Sequence, residues 1–199
     1  MKFFSVRRHA LFPVSLFAAG LFLVLFFFFV WKYQNGLYTD PALSLRINEI
    51  CTINPGTQEG EATIYEDYIE LYNPTEQAVS LEGLYLSDDP GNPLLASLPE
   101  GEIQPGGYCV IYALGEGDSV PEDCLSVPFG LAEEETLLLT WVSETDNGTV
   151  TTHTVDSVYI PSSITSGAVY ATASDGGASF TEARPSPGSP SDISRRPSG

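Results

Sequence analysis

Alternating apolar and polar positions dominate the chain after its first 43 residues, and they predict short β-strands joined by tight turns. The stretch DYIELY places Ile69 and Leu71 on one face of a strand and Glu70 on the other, and we expect the face with Glu70 to be solvated. An Asn-Gly pair at 147–148 is a strong hairpin signal, because these residues readily adopt positive φ. Further predicted strands lie at 44–50, 83–87, 108–113, 135–143, 149–158 and 168–173.

The first 36 residues follow a different pattern, with one long apolar run. The run at 10–31 carries no charge, and as a helix it spans about 33 Å, enough for a bilayer core of about 30 Å. We therefore predict a transmembrane signal anchor at 10–31, between a basic N-terminus at 1–9 and a tether at 32–43. Three basic residues precede the run and one follows it, so the N-terminus is expected in the cytoplasm and the domain outside the cell. A cleaved signal peptide is the alternative.

The charge of the remaining chain excludes one class of partner. The net charge of the 199 residues is −18, and the part after residue 36 has four arginines against all 26 acidic residues. Such a surface repels phosphate backbones, so we predict no binding of nucleic acid. The expected partners are the lipid bilayer, through 10–31, and an extracellular protein or glycan.

Three residues of the turn SDDPGNP are candidate metal ligands. Asp88, Asp89 and Asn92 offer the oxygen atoms that calcium prefers, although their spacing differs from that of an EF-hand loop. The alternative is an Asx turn, in which the same side chains bond their own backbone. No other cofactor is expected.

Three cysteines allow one disulfide in an exported domain. Cys109 and Cys124 enclose the shortest loop and are the first candidate pair. The alternative is three buried thiols, because free cysteine packs as a small apolar side chain.

No catalytic motif stands out, and we predict that the chain is not an enzyme. The exported part has one histidine, His153, and simple alternation places Asp156 on the opposite face of the same strand. The sequence also lacks the G-x-S-x-G, H-E-x-x-H and P-loop patterns. The last residues, 185–199, are mostly Pro, Ser and Gly, so they are predicted to be disordered.

Several segments, taken together and in order, resemble the bacterial lamin-tail domain. They are INE at 47–49, DYIELYNP at 67–74, LEGLYLSDDP at 81–90, IQPGGYCVIYA at 103–113, FGLAEEETLLL at 129–139 and FTEARPSPGSPS at 180–191. The resemblance implies an all-β, immunoglobulin-like β-sandwich of the lamin-tail type at 44–184, preceded by one transmembrane helix. Strand patterning alone does not separate a sandwich from a barrel.

The resemblance also implies a function. In bacteria this domain is an accessory module of exported proteins, often beside phosphoesterase, nuclease or spore-coat-type kinase domains. We expect a membrane-anchored extracellular module that binds or scaffolds a protein, glycan or envelope component. Two alternatives stay open: the N-terminal fragment of a larger surface enzyme, and a calcium-dependent binding module.

Overall fold

A computed structural model describes residues 14–34, 40–60, 62–145, 147–162 and 164–193. The chain divides into two compact units, Met1–Thr39 and Asp40–Gly199. The first unit contains the helix α1 (Val14–Gln34). In the part of the chain that is described, no helix is both long enough and apolar enough to cross a membrane. The structure therefore gives no support to the predicted span at 10–31, whose first four residues lie outside the described part.

The second unit is built from β-strands, preceded by one turn of 3-10 helix (Pro41–Ser44) that the Asp40 side chain caps. The strands are, in chain order, β1 (Arg46–Cys51), β2 (Thr57–Glu59), β3 (Ala62–Ile64), β4 (Asp67–Tyr72), β5 (Val79–Ser80), β6 (Leu84–Ser87), β7 (Ala96–Ser97), β8 (Glu102–Ile103), β9 (Tyr108–Ala113), β10 (Ser126–Val127), β11 (Thr136–Glu144), β12 (Val150–Tyr159), β13 (Val169–Thr172) and β14 (Phe180–Ala183).

Two sheets pack face to face. The large sheet has the spatial order β10-β9-β4-β1-β13-β14, and the small sheet has the order β12-β11-β6-β7. Neighbouring strands are antiparallel, except that β10 runs parallel to β9. Two short pairs, β2-β3 and β5-β8, complete the strands. This arrangement confirms the predicted all-β sandwich.

The core lies between the two sheets and follows the alternation of the sequence. Ile69 and Leu71 of β4 are fully buried and belong to this core, as DYIELY predicts. Leu137 and Leu139 face them from the small sheet's side of the same cluster. The predicted hairpin at Asn-Gly is also present, since β11 and β12 pair along nine register positions.

The large sheet is also covered on its outer face, opposite the small sheet. Tyr68, Tyr112 and Cys51 form a second apolar cluster there with Ile64 of β3. Residues 185–193, which we call the C-terminal segment, lie on this face over Glu49 and Glu70. The prediction of disorder is therefore wrong for residues 185–193, because hydrogen bonds to buried side chains hold them, as described below; residues 194–199 lie outside the described part.

Candidate functional site

A β-bulge in β1 brings two glutamates side by side on the outer face of the large sheet. The register of β1 against β4 shifts between Ile47 and Glu49, so Asn48 is inserted as an extra residue. Beyond the shift, Glu49 lies directly opposite Glu70. Both glutamates are fully buried. The expectation that Glu70 is solvated is thus wrong, because the C-terminal segment covers this face.

The C-terminal segment donates hydrogen bonds to both glutamates. Ser186 donates its backbone N–H to Oε1 of Glu49 at 2.9 Å and its hydroxyl to Oε2 at 2.7 Å. Gly188 donates its backbone N–H to Oε2 of Glu70 at 2.6 Å. The Tyr68 hydroxyl also donates to Glu49. These contacts fasten the segment to the sheet.

The side chain of Asn48 joins the glutamate pair to a third carboxyl group, that of Asp175. Its Nδ2 donates to Glu70 Oε1 at 3.0 Å and to Asp175 Oδ1 at 3.2 Å. Its Oδ1 accepts from the Thr172 hydroxyl at 2.7 Å and from the Gly176 N–H at 3.0 Å. We call Glu49, Glu70 and Asp175 the carboxylate cluster.

The members of the carboxylate cluster differ in their titration. Burial is the main cause that raises the pKa of Glu70 to about 7, and the charges of Glu49 and Asp175 add to the rise, whereas hydrogen bonds from Asn48 and Gly188 oppose it. The pKa of Glu49 is also raised, chiefly by burial.

Asp175 behaves in the opposite way. Burial acts to raise its pKa, but hydrogen bonds from the Ser191 N–H, the Tyr108 hydroxyl and Asn48 together hold that pKa below its usual value. Asp175 is therefore the member of the cluster that keeps its charge most readily.

The carboxylate cluster joins parts of the domain and does not form an accessible binding site. Glu49 and Glu70 have no exposed surface through which a substrate could reach them. Among the described residues, no group of three or more His, Cys, Asp or Glu side chains is arranged to hold a metal ion. The chemistry of the cluster is therefore the attachment of the C-terminal segment to β1 and β4.

The candidate calcium ligands form a turn. Oδ1 of Asp89 accepts the Gly91 N–H at 2.8 Å, and the Ser87 hydroxyl donates to the backbone carbonyls of Asp89 and Asn92 at 3.0 and 2.8 Å. These are the bonds of an Asx turn, the alternative interpretation of this segment. The calcium hypothesis at Asp88, Asp89 and Asn92 gains no support from the geometry.

The predicted disulfide between Cys109 and Cys124 is not formed in the structure. The physical reason is that Cys109 packs against the core between the sheets, whereas Cys124 packs against the apolar cluster on the outer face. Burial raises the pKa of Cys109 to about 11 and that of Cys51 to about 12. These two thiols stay protonated at neutral pH and act as small apolar side chains.

An accessible surface for a partner lies at the other sheet, along β12. This strand ends the small sheet and has β11 as its neighbour there. Its first five residues, 150–154, are exposed or half-buried, and we call them the open edge. The Thr145 N–H donates to the Thr149 carbonyl at 2.9 Å, so this pair is a hydrogen-bonded pair of the antiparallel ladder. Hydrogen-bonded and non-hydrogen-bonded pairs alternate along such a ladder. Val150, Thr152 and Thr154 are in the non-hydrogen-bonded pairs and therefore direct their backbone N–H and C=O away from β11. In the described ranges, no other strand pairs with this edge.

The second half of β12 is closed by β1. The ladder shifts register between Leu139 and Thr140, and beyond the shift Asp156 Oδ2 accepts the Ile47 N–H at 3.0 Å. His153 stacks on Trp141 with ring centroids 5.6 Å apart. His153 and Asp156 therefore interact with different residues, namely Trp141 and Ile47.

Sequence reasoning missed the carboxylate cluster. One signal was present, because Ile47 and Ile50 are three positions apart in a strand, and only an extra residue between them can direct both side chains to the core. Nothing local to Ser186 or Asp175 marks either residue as a partner of β1.

Comparison with known proteins adds one finding. The chain matches the family described as Lamin Tail Domain over residues 39–160. No curated protein and no solved structure matches the chain. The matched range is more than half of the 199 residues and contains β1 to β12, whereas β13, β14 and the C-terminal segment follow it.

Proposed function

The chain belongs to the lamin tail domain family, and from that premise we propose that it is a non-catalytic binding module on the outside of a membrane. Its partner is a protein that adds one extended segment to the open edge of β12. The observation that carries this proposal is the row of backbone donors and acceptors that Val150, Thr152 and Thr154 direct away from β11.

The chemistry of the open edge favours a polypeptide as the occupant. Only a chain in the β conformation presents alternating N–H and C=O groups at the spacing of a strand. Proteins usually protect such edges with lysine or proline, and residues 150–154 contain neither. The β-branched Val and Thr side chains favour an extended backbone there. Because acidic residues far outnumber arginines, basic side chains in the partner segment strengthen the contact.

We expect Thr152→Pro to weaken binding of an extended peptide at least about tenfold, because proline removes an outward N–H without removing a bond to β11. The probe is a fluorescent ten-residue peptide of alternating threonine and lysine, and the measurement is fluorescence anisotropy with the full chain. Thr152→Val is the matched control, since it keeps the N–H and the shape of the side chain. Equal affinity for the proline variant and the wild type, or no saturable binding up to about 1 mM, contradicts the proposal.

Membrane anchoring through 10–31 rests on the sequence, namely on an uncharged run of sufficient length with basic residues before it. We expect the full chain to sediment with membranes and to stay there in alkaline carbonate. A variant without residues 1–31 is expected in the soluble fraction. Protease added to intact cells is expected to digest the β-domain. Recovery of the full-length chain in the soluble fraction would count against the anchor without affecting the peptide experiment.

A further inference from the structure

A cavity of about 390 Å³ lies beside the closed half of β12, where β13 and β14 end the large sheet. Its lining includes Arg46, Asp156, Tyr159, Tyr170 and Phe180. The rings of Tyr170 and Phe180 stack, with centroids 5.1 Å apart and planes inclined by 30°. Tyr159 is 55% exposed. The volume falls in the range of about 300–1,000 Å³ that is typical of small-molecule sites.

Arg46 is held in place by the backbone. Its Nη1 donates to the carbonyl of Leu45 at 2.7 Å and to that of Leu43 at 3.5 Å. These are its side-chain hydrogen bonds, so Nε and Nη2 donate to no group of the described residues. Together those two nitrogens form a planar pair of donors that fits the two oxygens of a carboxylate.

The acidic neighbour of Arg46 does not take these donors. Asp156 Oδ2 accepts the Ile47 N–H at 3.0 Å, and Oδ1 accepts the Ser157 N–H at 2.8 Å. The backbone thus orients the carboxylate of Asp156, and each of its oxygens retains a lone pair for a further donor.

We propose that this cavity binds a sugar ring that bears a carboxylate, such as the hexuronate unit of an acidic polysaccharide. Nε and Nη2 of Arg46 take the carboxylate, and the stacked Tyr170–Phe180 pair lies against the C–H face of the ring. Asp156 and Ser157 accept hydrogen bonds from ring hydroxyls. Because the domain is strongly acidic, an anionic ligand requires a local cation, and Arg46 is the basic side chain in this lining. The site is separate from the open edge at 150–154.

The proposal is tested by titrating the full chain with methyl β-glucuronide and following the amide NMR signals of Gly177 and Ala178, which line the cavity. We expect saturable, millimolar binding of the glucuronide and binding at least about tenfold weaker of the neutral methyl β-glucoside, which lacks the carboxylate. Arg46→Lys keeps the charge but loses the planar donor pair, and Arg46→Gln loses both. We expect each variant to weaken glucuronide binding at least about tenfold.

Arg184→Gln is the matched control, because Arg184 is an exposed arginine that directly follows β14 and does not line the cavity. It is expected to bind like the wild type. The proposal is overturned by no saturable glucuronide binding up to about 20 mM, by equal binding of the glucoside, or by unchanged binding in both Arg46 variants. Tighter binding of N-acetylphenylalanine than of the glucuronide also overturns it, in favour of a peptide carboxylate. The comparison of the two sugars uses the wild-type protein, so it tests the proposal even if substitution of Arg46 unfolds the domain.

Discussion

A chain that ends at Arg184 is expected to lose most of the stability of its β-domain, whereas a chain that ends at Ile193 is expected to unfold like the full-length protein. The shorter chain lacks Ser186 and Gly188, which donate three hydrogen bonds to Glu49 and Glu70. Hydrogen bonds to charged groups contribute about 1.5–3 kcal/mol each, and water that reaches the uncovered carboxyl groups offsets part of their loss, so the expected loss is on the order of 4 kcal/mol.

The measurement is urea unfolding followed by circular dichroism, with the midpoint compared among the three chains. A rescue separates lost hydrogen bonds from lost chain length. Glu49→Gln together with Glu70→Gln, introduced into the chain that ends at Arg184, is expected to recover part of the stability, because neutral amides cost less to leave without a partner. Equal midpoints for the chains ending at Arg184 and Ile193 would falsify the fastening role of the C-terminal segment.

The β-domain is also expected to become less stable as the pH rises from about 4.5 to 8, and Glu70→Gln is expected to reduce that loss. The pKa of Glu70 is about 7 in the folded chain against 4.5 as its ordinary value. Between these values the folded state holds more protons than the unfolded state, so stability is greatest below pH 4.5 and falls through pH 7. The difference in pKa corresponds to on the order of 3 kcal/mol at pH 8.

The Gln variant is expected to be more stable than the wild type at pH 8 by about 1–2 kcal/mol, less than the full difference, because its amide NH₂ competes with the Asn48 donor. The two stability curves should therefore cross between pH 4.5 and pH 8, with the Gln variant less stable than the wild type by about 1–2 kcal/mol near pH 4.5, and the measurement is the melting temperature at a series of pH values. Raised pKa values at Glu49 and Asp67 act in the same direction, so some pH dependence is expected to remain. Glu82→Gln, at an exposed glutamate, serves as the control. A wild-type melting temperature that rises between pH 5 and pH 8 contradicts the prediction.

Local alternation predicted what lies on each face of a strand but not whether a face is covered. It placed Ile69 and Leu71 in the core, and the Asn-Gly pair gave the β11–β12 hairpin, because both signals act between residues close in sequence. The burial of Glu70 depends on a segment more than a hundred residues later. The alternation of residues within β4 therefore cannot predict that contact.

Composition misled at the C-terminus for a related reason. A segment rich in Pro, Ser and Gly buries little apolar surface, and that criterion predicts disorder. Residues 185–193 are instead held through backbone N–H groups, which nearly every sequence carries, so only the position of the acceptors on β1 and β4 distinguishes this segment from a free one. The prediction of a disulfide was also wrong, because the short loop between Cys109 and Cys124 does not indicate which face of the large sheet each side chain occupies.

The open edge could be predicted in part. The sequence predicted β12 as a strand, but its place at the end of the small sheet follows from the sheet order, which local pattern does not determine. The cavity at Arg46 joins residues from β1, β12, β13 and β14, and their proximity is a property of topology alone.

The position of β1 at the centre of the large sheet has a consequence for biosynthesis. Its neighbours are β4 and the late strand β13, where Glu49 pairs with Ala171. The earliest strand therefore stays half-paired on the ribosome until almost the whole chain has emerged, a topology of high contact order that slows folding. Nascent chains that stop short of β13 expose the edge of β1 that faces away from β4, and association with other chains can begin at this unpaired edge.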